Sequence, residues 1–289
     1  MIGIIGGEFF AGRLVQELRT KTDAKIVSTD LRDPDLVEKA KDSEIIHYIF
    51  SPIVTLGGLR TVQRLKKKNK KIVVHWIGTD VYNAITRLKS KFITKRYKHL
   101  VDVHLAQHSR LVRELSSVGV NSEELPLPTF GLYSLYPMPA RKKILVYMPE
   151  SRGDFYGKPI LDRVFDSFPE SDFIVLPNSG KDINKANVTC ISWTDDMEKI
   201  YRDVAVLIRL PIHEGMPNTV IEALSMGRYA ICSHDFPYCE QARSLEEVKT
   251  KLLHLLQKSS LNQEGSDYVH NTYSKSLLTE RLLHIYEQI

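Results

Sequence analysis

The chain has 289 residues, which is enough for two domains of ~140 residues each. Hydrophobic residues make up 43% and charged residues 26%, as in an ordinary globular protein, and no apolar run approaches the ~20 residues of a membrane-spanning helix. The first residues lack the basic flank and long apolar core of a signal peptide, and the three cysteines have neither metal spacing nor even pairing. We therefore expect a reducing, cytoplasmic location.

The first half of the chain alternates apolar, β-branched runs with segments of helical period. The runs that we predict as strands are Ile2–Ile5, Lys25–Ser28, Ile45–Phe50, Lys71–Trp76, Val101–Ala106 and, with a weaker pattern, Leu125–Leu127. Between two of them, Leu59–Lys67 carries apolar residues at helical spacing. This alternation is typical of βαβ units around a mostly parallel, buried sheet.

Positive charge is concentrated in the first half, although the net charge of the whole chain is only +5. The two clusters are Lys66, Lys67, Lys68, Lys70 and Lys71, and then Arg87, Lys89, Lys91, Lys95, Arg96 and Lys98. Two interpretations stay open: solvated helix faces, or a surface that meets a phospholipid headgroup or a lipid-phosphate acceptor. We do not expect nucleic acid as a partner, because the nearby aromatic residues follow core-like helical stripes rather than a stacking platform.

Four prolines between positions 126 and 139 interrupt both helix and central strand, so we place an inter-domain linker there. The alternation then restarts. The predicted strands are Ile144–Met148, Phe173–Leu176, Val188–Ile191, Val204–Leu210 and Tyr229–Cys232, and the predicted helices are Lys158–Ser167, Asp195–Arg202, Asn218–Met226, Leu245–Gln257 and Ser274–Ile289. We predict α/β domains at 1–137 and 138–273, followed by a C-terminal helix at 274–289. Two doubly wound domains in series are expected to bind ligands in a cleft at the carboxyl edges of their sheets.

The segment from His213 to Leu224 follows a predicted strand and opens a predicted helix. Pro217 suits the first helical turn, which places Glu214 in the loop at the strand's carboxyl end and Glu222 about one turn into the helix. Backbone amides at such a helix start carry a partial positive charge that suits a phosphate. Two solvated glutamates around a capped helix are the alternative interpretation.

This segment, E-G-M-P-N-T-V-I-E-A-L with a glycine at 227, resembles the donor-site signature of glycosyltransferase family 4. The resemblance implies a GT-B fold, two Rossmann-like domains facing across a cleft with the C-terminal helix returning to the first. It also implies that Glu214 contacts the transferred sugar and Glu222 the nucleotide ribose. The remaining donor contacts that it implies are Gly215, Met216, Pro217, Asn218 and Thr219. The run after position 227 departs from the small-Pro-Val pattern of the family.

Arg152 and Lys158 flank a glycine-containing loop after the predicted strand Ile144–Met148. A basic pair in a loop is, on its own, equally compatible with plain surface charge. Family 4 enzymes keep an Arg and a Lys at this place on the donor diphosphate, so the resemblance implies that this pair stabilises the departing nucleoside diphosphate. Because two cations are present and no Asp-x-Asp falls in a donor loop, we expect neither a metal nor a cofactor.

The remaining candidates follow other strands. The string from His75 to Val81 resembles the H-x-x-G-T-D-V of the family's acceptor domain, which implies that His75 lies near the transferred sugar, although a structural histidine is an equal alternative. Asp80 stays open between an acceptor contact and a helix cap. Gly7 belongs to a glycine turn that lacks the G-x-G-x-x-G of dinucleotide sites, and the resemblance implies contact with the donor phosphates. Ser192 and Trp193 are implied at the nucleotide base.

The resemblance implies a retaining hexosyltransferase that moves a sugar from a nucleoside-diphosphate sugar to an acceptor hydroxyl, and we expect a lipid-linked or glycan acceptor. The basic clusters favour peripheral binding at the cytoplasmic face of an anionic membrane. Because no pair of carboxylates suits a double displacement, the resemblance implies front-face attack. The alternatives are a UDP-sugar 2-epimerase or a phosphorylase of the same architecture, and a non-catalytic sugar-nucleotide-binding subunit.

Overall fold

The computed structural model describes all residues 1–289, which form two compact units. Unit 1 comprises Met1–Thr129 and Tyr273–Ile289, and unit 2 comprises Phe130–Thr272. Unit 2 therefore begins ahead of the predicted boundary at 137. Backbone amides just after position 130 explain this, because Gly131 donates to the Glu222 carboxylate at 2.9 Å and Tyr133 to the Ser225 hydroxyl at 3.0 Å. The C-terminal segment belongs to unit 1, as predicted.

Unit 1 is an α/β unit with one parallel sheet. Its strands are β1 (Ile2–Ile5), β2 (Ile26–Thr29), β3 (Ile45–Ile49), β4 (Lys71–Trp76), β5 (Val103–Ala106) and β6 (Glu123–Glu124). Its first helices are α1 (Glu8–Arg19), α2 (Leu36–Lys39), α3 (Leu56–Lys67), α4 (Thr79–Thr86), α5 (Leu88–Tyr97) and α6 (Ser109–Ser116). The sheet order is β2-β1-β3-β4-β5-β6, and every pairing is parallel. Strands buried on both faces are expected to read as continuous apolar runs, which is why the sequence located most of them.

The last strand of unit 1 differs from the prediction. The strand expected at Leu125–Leu127 lies just downstream of β6, and in that stretch Leu125 donates its N–H to the Ala106 carbonyl at 2.8 Å. Both leucines are buried. Their apolar character therefore reflects side-chain burial in an irregular segment rather than extended strand pairing.

Chain direction decides which face of this sheet each helix covers. The crossovers from β3 to β4 through α3, and from β4 to β5 through α4 and α5, move the same way across the sheet. Since parallel crossovers are right-handed, α3 and α5 lie on one face, and α1, whose crossover runs the other way, lies on the opposite face. The C-terminal helix packs against α1.

Unit 2 is a second α/β unit. Its strands are β7 (Lys143–Tyr147), β8 (Phe173–Leu176), β9 (Val188–Cys190), β10 (Val204–Arg209), β11 (Tyr229–Cys232) and β12 (Glu240–Gln241). Its helices are α7 (Lys158–Ser167), α8 (Met197–Asp203), α9 (Asn218–Ser225), α10 (Leu245–Gln257) and α11 (Gln263–Thr272), and α12 (Lys275–Glu287) is the C-terminal helix of unit 1. The sheet order is β12-β11-β10-β7-β8-β9, again with all pairings parallel.

The strand order of unit 2 reverses between β7 and β10. From β7 the chain builds β8 and β9 on one side, and then returns to build β10, β11 and β12 on the other. From β7 and β10 the chain continues toward opposite edges of the sheet, and ligands of doubly wound sheets bind outside the carboxyl ends of the strands at such a point. No helix of the chain has the length and apolar character needed to cross a membrane.

Candidate functional site

The loops after β7 and β10 touch at the switch point of unit 2. Ile212 donates its backbone N–H to the Phe155 carbonyl at 2.8 Å. Gly157 has a φ of +80°, and a Cβ added there would lie 3.0 Å from Leu210 Cβ and 3.1 Å from its carbonyl oxygen. Both the left-handed backbone and the close approach require glycine. This glycine thus lets α7 start directly beside the β10 loop.

An ion pair links the last residue of β10 to the loop that follows it. The Arg209 Nε atom is 2.5 Å from Glu214 Oε2, with the two side chains 9% and 13% exposed. Arg209 also donates from Nη1 to the Thr219 hydroxyl at 3.2 Å, and its guanidinium lies 4.2 Å from the centre of the Tyr147 ring. Burial alone would raise the pKa of the Glu214 carboxyl, but the charge and hydrogen bond of Arg209 outweigh burial and hold that pKa below its usual range.

Arg152 approaches the same cluster from the β7 loop. Its guanidinium lies 4.2 Å from the centre of the Phe155 ring and 5.6 Å from that of Tyr156. The Arg209 guanidinium lies 5.4 Å from the same Tyr156 ring. Two guanidinium groups, one from the β7 loop and one from the end of β10, therefore share one aromatic ring at the switch point, within cation–π distance.

Lys158 is the first residue of α7. Its ammonium group contacts the Asp162 carboxylate at 2.7 Å and the Asp182 carbonyl at 3.3 Å. The stem of the side chain lies against Gly153, whose added Cβ would be 3.2 Å from Lys158 Cδ. The lysine is 25% exposed, so it keeps access to solvent. The predicted basic pair thus comes from one loop, although Lys158 is tied to an aspartate.

The predicted donor helix begins where expected, at Asn218. Gly215, Met216 and Pro217 are buried, whereas Asn218 and Thr219 are half-buried at the start of α9. Since the strands are parallel, this helix start and the β7 loop lie at the same edge of the sheet.

Glu222 lies inside unit 2 rather than at its surface. It is 4% exposed, and each carboxylate oxygen already accepts a hydrogen bond, one from the Gly131 N–H and one from the Tyr201 hydroxyl, both at 2.9 Å. Burial and the neighbouring carboxylate raise the pKa of Tyr201 well above its usual value, so the hydroxyl stays a donor. These two hydrogen bonds hold the carboxylate in place between residue 131 and α8.

Ser192 and Trp193 follow β9 at the same sheet edge. Both are exposed, with Trp193 at 61%. The indole N–H of Trp193 donates to the Asp195 carboxylate at 3.1 Å. The ring is therefore held at the surface on the β8–β9 side of the switch point.

The unit 1 candidates are placed differently. His75 is fully buried at the end of β4, where its Nε2 contacts the Leu125 carbonyl at 2.6 Å and its ring stacks on His47 with centres 5.5 Å apart. Burial lowers the pKa of His75 to about 4. Gly7 is exposed at the start of α1, with nothing within 4 Å of the place its Cβ would occupy. Of these two, only Gly7 is open to a ligand in this structure.

Asp80 anchors two loops of unit 1. It is fully buried, and its carboxylate accepts from the backbone N–H groups of Ser51, Ile77, Gly78 and Val81 at 2.8–3.0 Å. This hydrogen bonding ties the start of α4 to the loop that follows β3. A carboxylate satisfied in this way has the geometry of a structural anchor.

Three side chains of the cluster were not singled out by the sequence pattern: Arg209, Tyr201 and His234. Arg209 is a cation at the end of the apolar run Val204–Leu210, and a charge inside a buried strand is a signal that could have identified it. His234 follows β11, and its charge helps to lower the pKa of Glu214. Tyr201 lies in α8, where nothing in the sequence distinguishes it from a core tyrosine. No group of three or more His, Cys, Asp or Glu side chains in residues 1–289 is arranged to hold a metal ion.

No protein-family model matches the chain, and a search of curated proteins finds no match either. Solved structures do match. A sucrose-phosphate synthase from Thermosynechococcus elongatus has a TM-score of 0.74 at 13% identity, over 99% of this chain and 98% of that one. HepE from Anabaena, solved with UDP and glucose, has a TM-score of 0.72 at 9% identity, over 100% and 99%.

A protein assigned as a UDP-N-acetylglucosamine 2-epimerase from Listeria monocytogenes matches with a TM-score of 0.63 at 11% identity, over 99% of this chain and 96% of that one. The chain spans 54% of the length of TarM, a further match. At such identities the likeness establishes the fold, which is the predicted GT-B type with two doubly wound α/β units. An epimerase shares this fold, so the reaction has to be argued from the site.

Proposed function

We propose that this chain is a glycosyltransferase that binds a nucleoside-diphosphate sugar at the switch point of unit 2 and transfers the sugar to an acceptor hydroxyl. The observation that carries the proposal is the convergence of Arg152, Lys158, Arg209 and the start of α9 at one sheet edge, beside the Glu214 carboxylate. Cations and helix amides suit a diphosphate. A carboxylate suits sugar hydroxyls, because it accepts from more than one of them.

In this proposal the cations act mainly on the leaving group. As the bond between the anomeric carbon and the diphosphate oxygen breaks, negative charge grows on that oxygen, and Arg152 and Lys158 stabilise it. The acceptor oxygen bonds to the anomeric carbon, and its proton passes to a departing phosphate oxygen. Glu214 is held by Arg209, which makes the carboxylate a weak nucleophile and supports front-face attack with retention.

Glu222 keeps in this proposal the ribose role that the sequence resemblance implies, and the hydrogen bonds from Gly131 and Tyr201 hold its carboxylate in place. We propose that transfer needs no metal, since fixed cations do the work of a divalent ion. Activity that persists in EDTA supports this part, and activity restored only by Mg²⁺ or Mn²⁺ contradicts it. His75 has no part in this proposal, because it is buried at the end of β4 with its Nε2 in contact with the Leu125 carbonyl.

The second candidate is a UDP-sugar 2-epimerase, because a protein assigned to that activity shares the fold, and the third is a non-catalytic subunit. A thermal-shift screen with UDP-, GDP- and ADP-sugars identifies the donor, because a bound ligand raises the unfolding temperature. NMR then follows what the protein converts this stabilising nucleotide sugar into. Release of free sugar and nucleoside diphosphate supports a transferase acting on water. An inverted sugar C2 supports an epimerase, and unchanged donor supports a binding subunit.

A further inference from the structure

Unit 1 carries its excess of basic residues in one segment of the chain. Residues 45–101 contain thirteen Lys and Arg side chains and one acidic residue, Asp80, which is fully buried. The other 27 basic and 34 acidic side chains of the chain give a net charge of −7. Both α3 and α5 belong to this segment and cover the same face of the sheet. The excess of positive charge is therefore concentrated in this segment, whose helices α3 and α5 cover one face of the sheet.

The exposed side of α5 has an apolar centre. Leu88 and Phe92 are the most exposed large hydrophobic side chains of the chain, at 86% and 68%. At ~100° per residue they lie ~40° apart on the helix. On the same scale Lys95 flanks them on one side, and Arg96 flanks them on the other. Two apolar side chains thus project from a basic surrounding, where core packing does not explain them.

The inward side of α5 is packed in the ordinary way. Ile93 is 2% exposed, and Thr94 is buried with its hydroxyl donating to the Ile53 carbonyl at 3.4 Å. The orientation of α5 is therefore fixed by its contacts with the turn at 52–54. Leu88 and Phe92 are held outward by this packing.

A basic groove continues this surface toward α3. It has a volume of about 610 Å³ and is lined by Arg60, Gln63, Arg64, Lys66, Lys67 and Leu100. Leu100 belongs to the turn that directly follows α5. Lys66 is partly neutralised by Asp102 at 2.8 Å, whereas Arg60, Arg64 and Lys67 are exposed. The groove suits anionic headgroups beside the apolar pair.

We propose that this face of unit 1 docks on an anionic lipid bilayer, with Leu88 and Phe92 inserted at the interface and Lys89, Lys95 and Arg96 on the lipid phosphates. Apolar side chains ringed by basic ones are what interfacial binding uses. Single-stranded nucleic acid fits less well, because the most exposed side chain, Leu88, cannot stack on a base. A second copy fits less well because two such faces repel each other. The inference does not rest on the proposed donor chemistry.

Vesicle co-sedimentation tests this proposal, with phosphatidylcholine vesicles compared with mixed phosphatidylcholine and phosphatidylglycerol vesicles. We expect binding to the mixed vesicles only, falling as salt rises. Leu88→Ser/Phe92→Ser should lower the partition coefficient at least about tenfold, because the inserted apolar area is lost. Lys89→Glu/Lys95→Glu should lower it at least about 25-fold, from about fivefold per cation. All four side chains are exposed, so circular dichroism should be unchanged.

Two matched variants serve as controls. Leu253→Ser/Leu277→Ser removes two exposed leucines elsewhere, at 53% and 54% exposure, and Arg19→Glu/Lys25→Glu reverses two exposed charges of unit 1 outside the patch. Both should bind mixed vesicles within about twofold of wild type, since surface changes outside a contact are near neutral. The proposal would be overturned by equal binding to neutral and mixed vesicles, or by no binding at all. It would also be overturned by losses in the control variants as large as those in the patch variants, or by displacement of the protein from vesicles by single-stranded RNA.

Discussion

Arg209 and Glu214 form a buried pair, with Nε and Oε2 2.5 Å apart, at the carboxyl end of β10. The pair fixes the orientation of the carboxylate that we assign to the sugar. It also keeps that carboxylate ionised, because the lowered pKa of Glu214 leaves it charged at neutral pH. The charge of the carboxylate that we propose for the sugar is thus set by a residue at the end of the preceding strand.

Removing both partners of this pair should cost less than the sum of the two single losses. Glu214→Gln leaves the Arg209 charge buried without compensation, so we expect a loss of about 3 kcal/mol in the free energy of unfolding, and Arg209→Met should cost about as much. The double variant should be more stable than the sum of the two losses by at least about 1.5 kcal/mol. Urea unfolding followed by far-UV circular dichroism measures this coupling. Additive losses would show that the two side chains are not coupled.

Tyr201→Phe should weaken both unit 2 and its nucleotide site. The substitution removes the hydroxyl that donates to Glu222, and a buried acceptor left short of a donor costs about 1–3 kcal/mol. If Glu222 holds the ribose, the nucleoside diphosphate should bind more weakly to this variant, and the 2′-deoxy analogue should be less affected. Calorimetric titration measures the affinity for the nucleoside diphosphate and for its 2′-deoxy analogue. Tyr229→Phe is the control, because Tyr229 is similarly buried but donates to the Ser260 carbonyl. Equal effects in the two variants would remove Glu222 from the ribose site.

Acid should destabilise unit 1 through His75. Its pKa falls from 6.5 to about 4 on burial, so the folded state binds fewer protons than the unfolded chain between these pH values. Stability is therefore lost as pH falls from 6.5 toward 4, by up to about 3 kcal/mol. In His75→Gln this loss should shrink, while the donor to Leu125 is retained. Urea unfolding at several pH values measures it in a Trp193→Phe background, where Trp76 is the only remaining tryptophan. An unchanged pH slope in His75→Gln would contradict this account.

The sequence predicted the sheets well and the helices less completely. Buried parallel strands such as Ile2–Ile5 and Phe173–Leu176 read as apolar runs and were located to the residue. The helix α11 was missed because Gln263–Thr272 is polar and shows no apolar period. It packs on α9, and Ser266 donates to the Ser225 carbonyl at 2.8 Å. Tertiary contacts, rather than local pattern, form this helix.

For the candidate site, too, the sequence predicted some features and not others. Loop position after a strand predicted where Arg152 and Glu214 lie, because parallel strands deliver their following loops to one edge. The sequence could not predict the burial of His75 or Glu222, since burial depends on segments far along the chain, such as Leu125 and Gly131. Arg209 was not predicted as a site residue because it is the last residue of β10, and we read it only as part of the apolar strand pattern.

Turnover of a nucleotide sugar by Lys158→Ala, measured as nucleoside diphosphate release from the donor that stabilises the protein, tests the central claim most directly. The control is Lys143→Ala, because Lys143 is also paired with an aspartate but lies at the opposite, amino end of β7. We expect Lys158→Ala to lose at least about two orders of magnitude in turnover, with an unchanged unfolding temperature, while Lys143→Ala stays near wild type. Wild-type turnover in Lys158→Ala, or equal losses in both variants, would contradict the proposed role of this sheet edge.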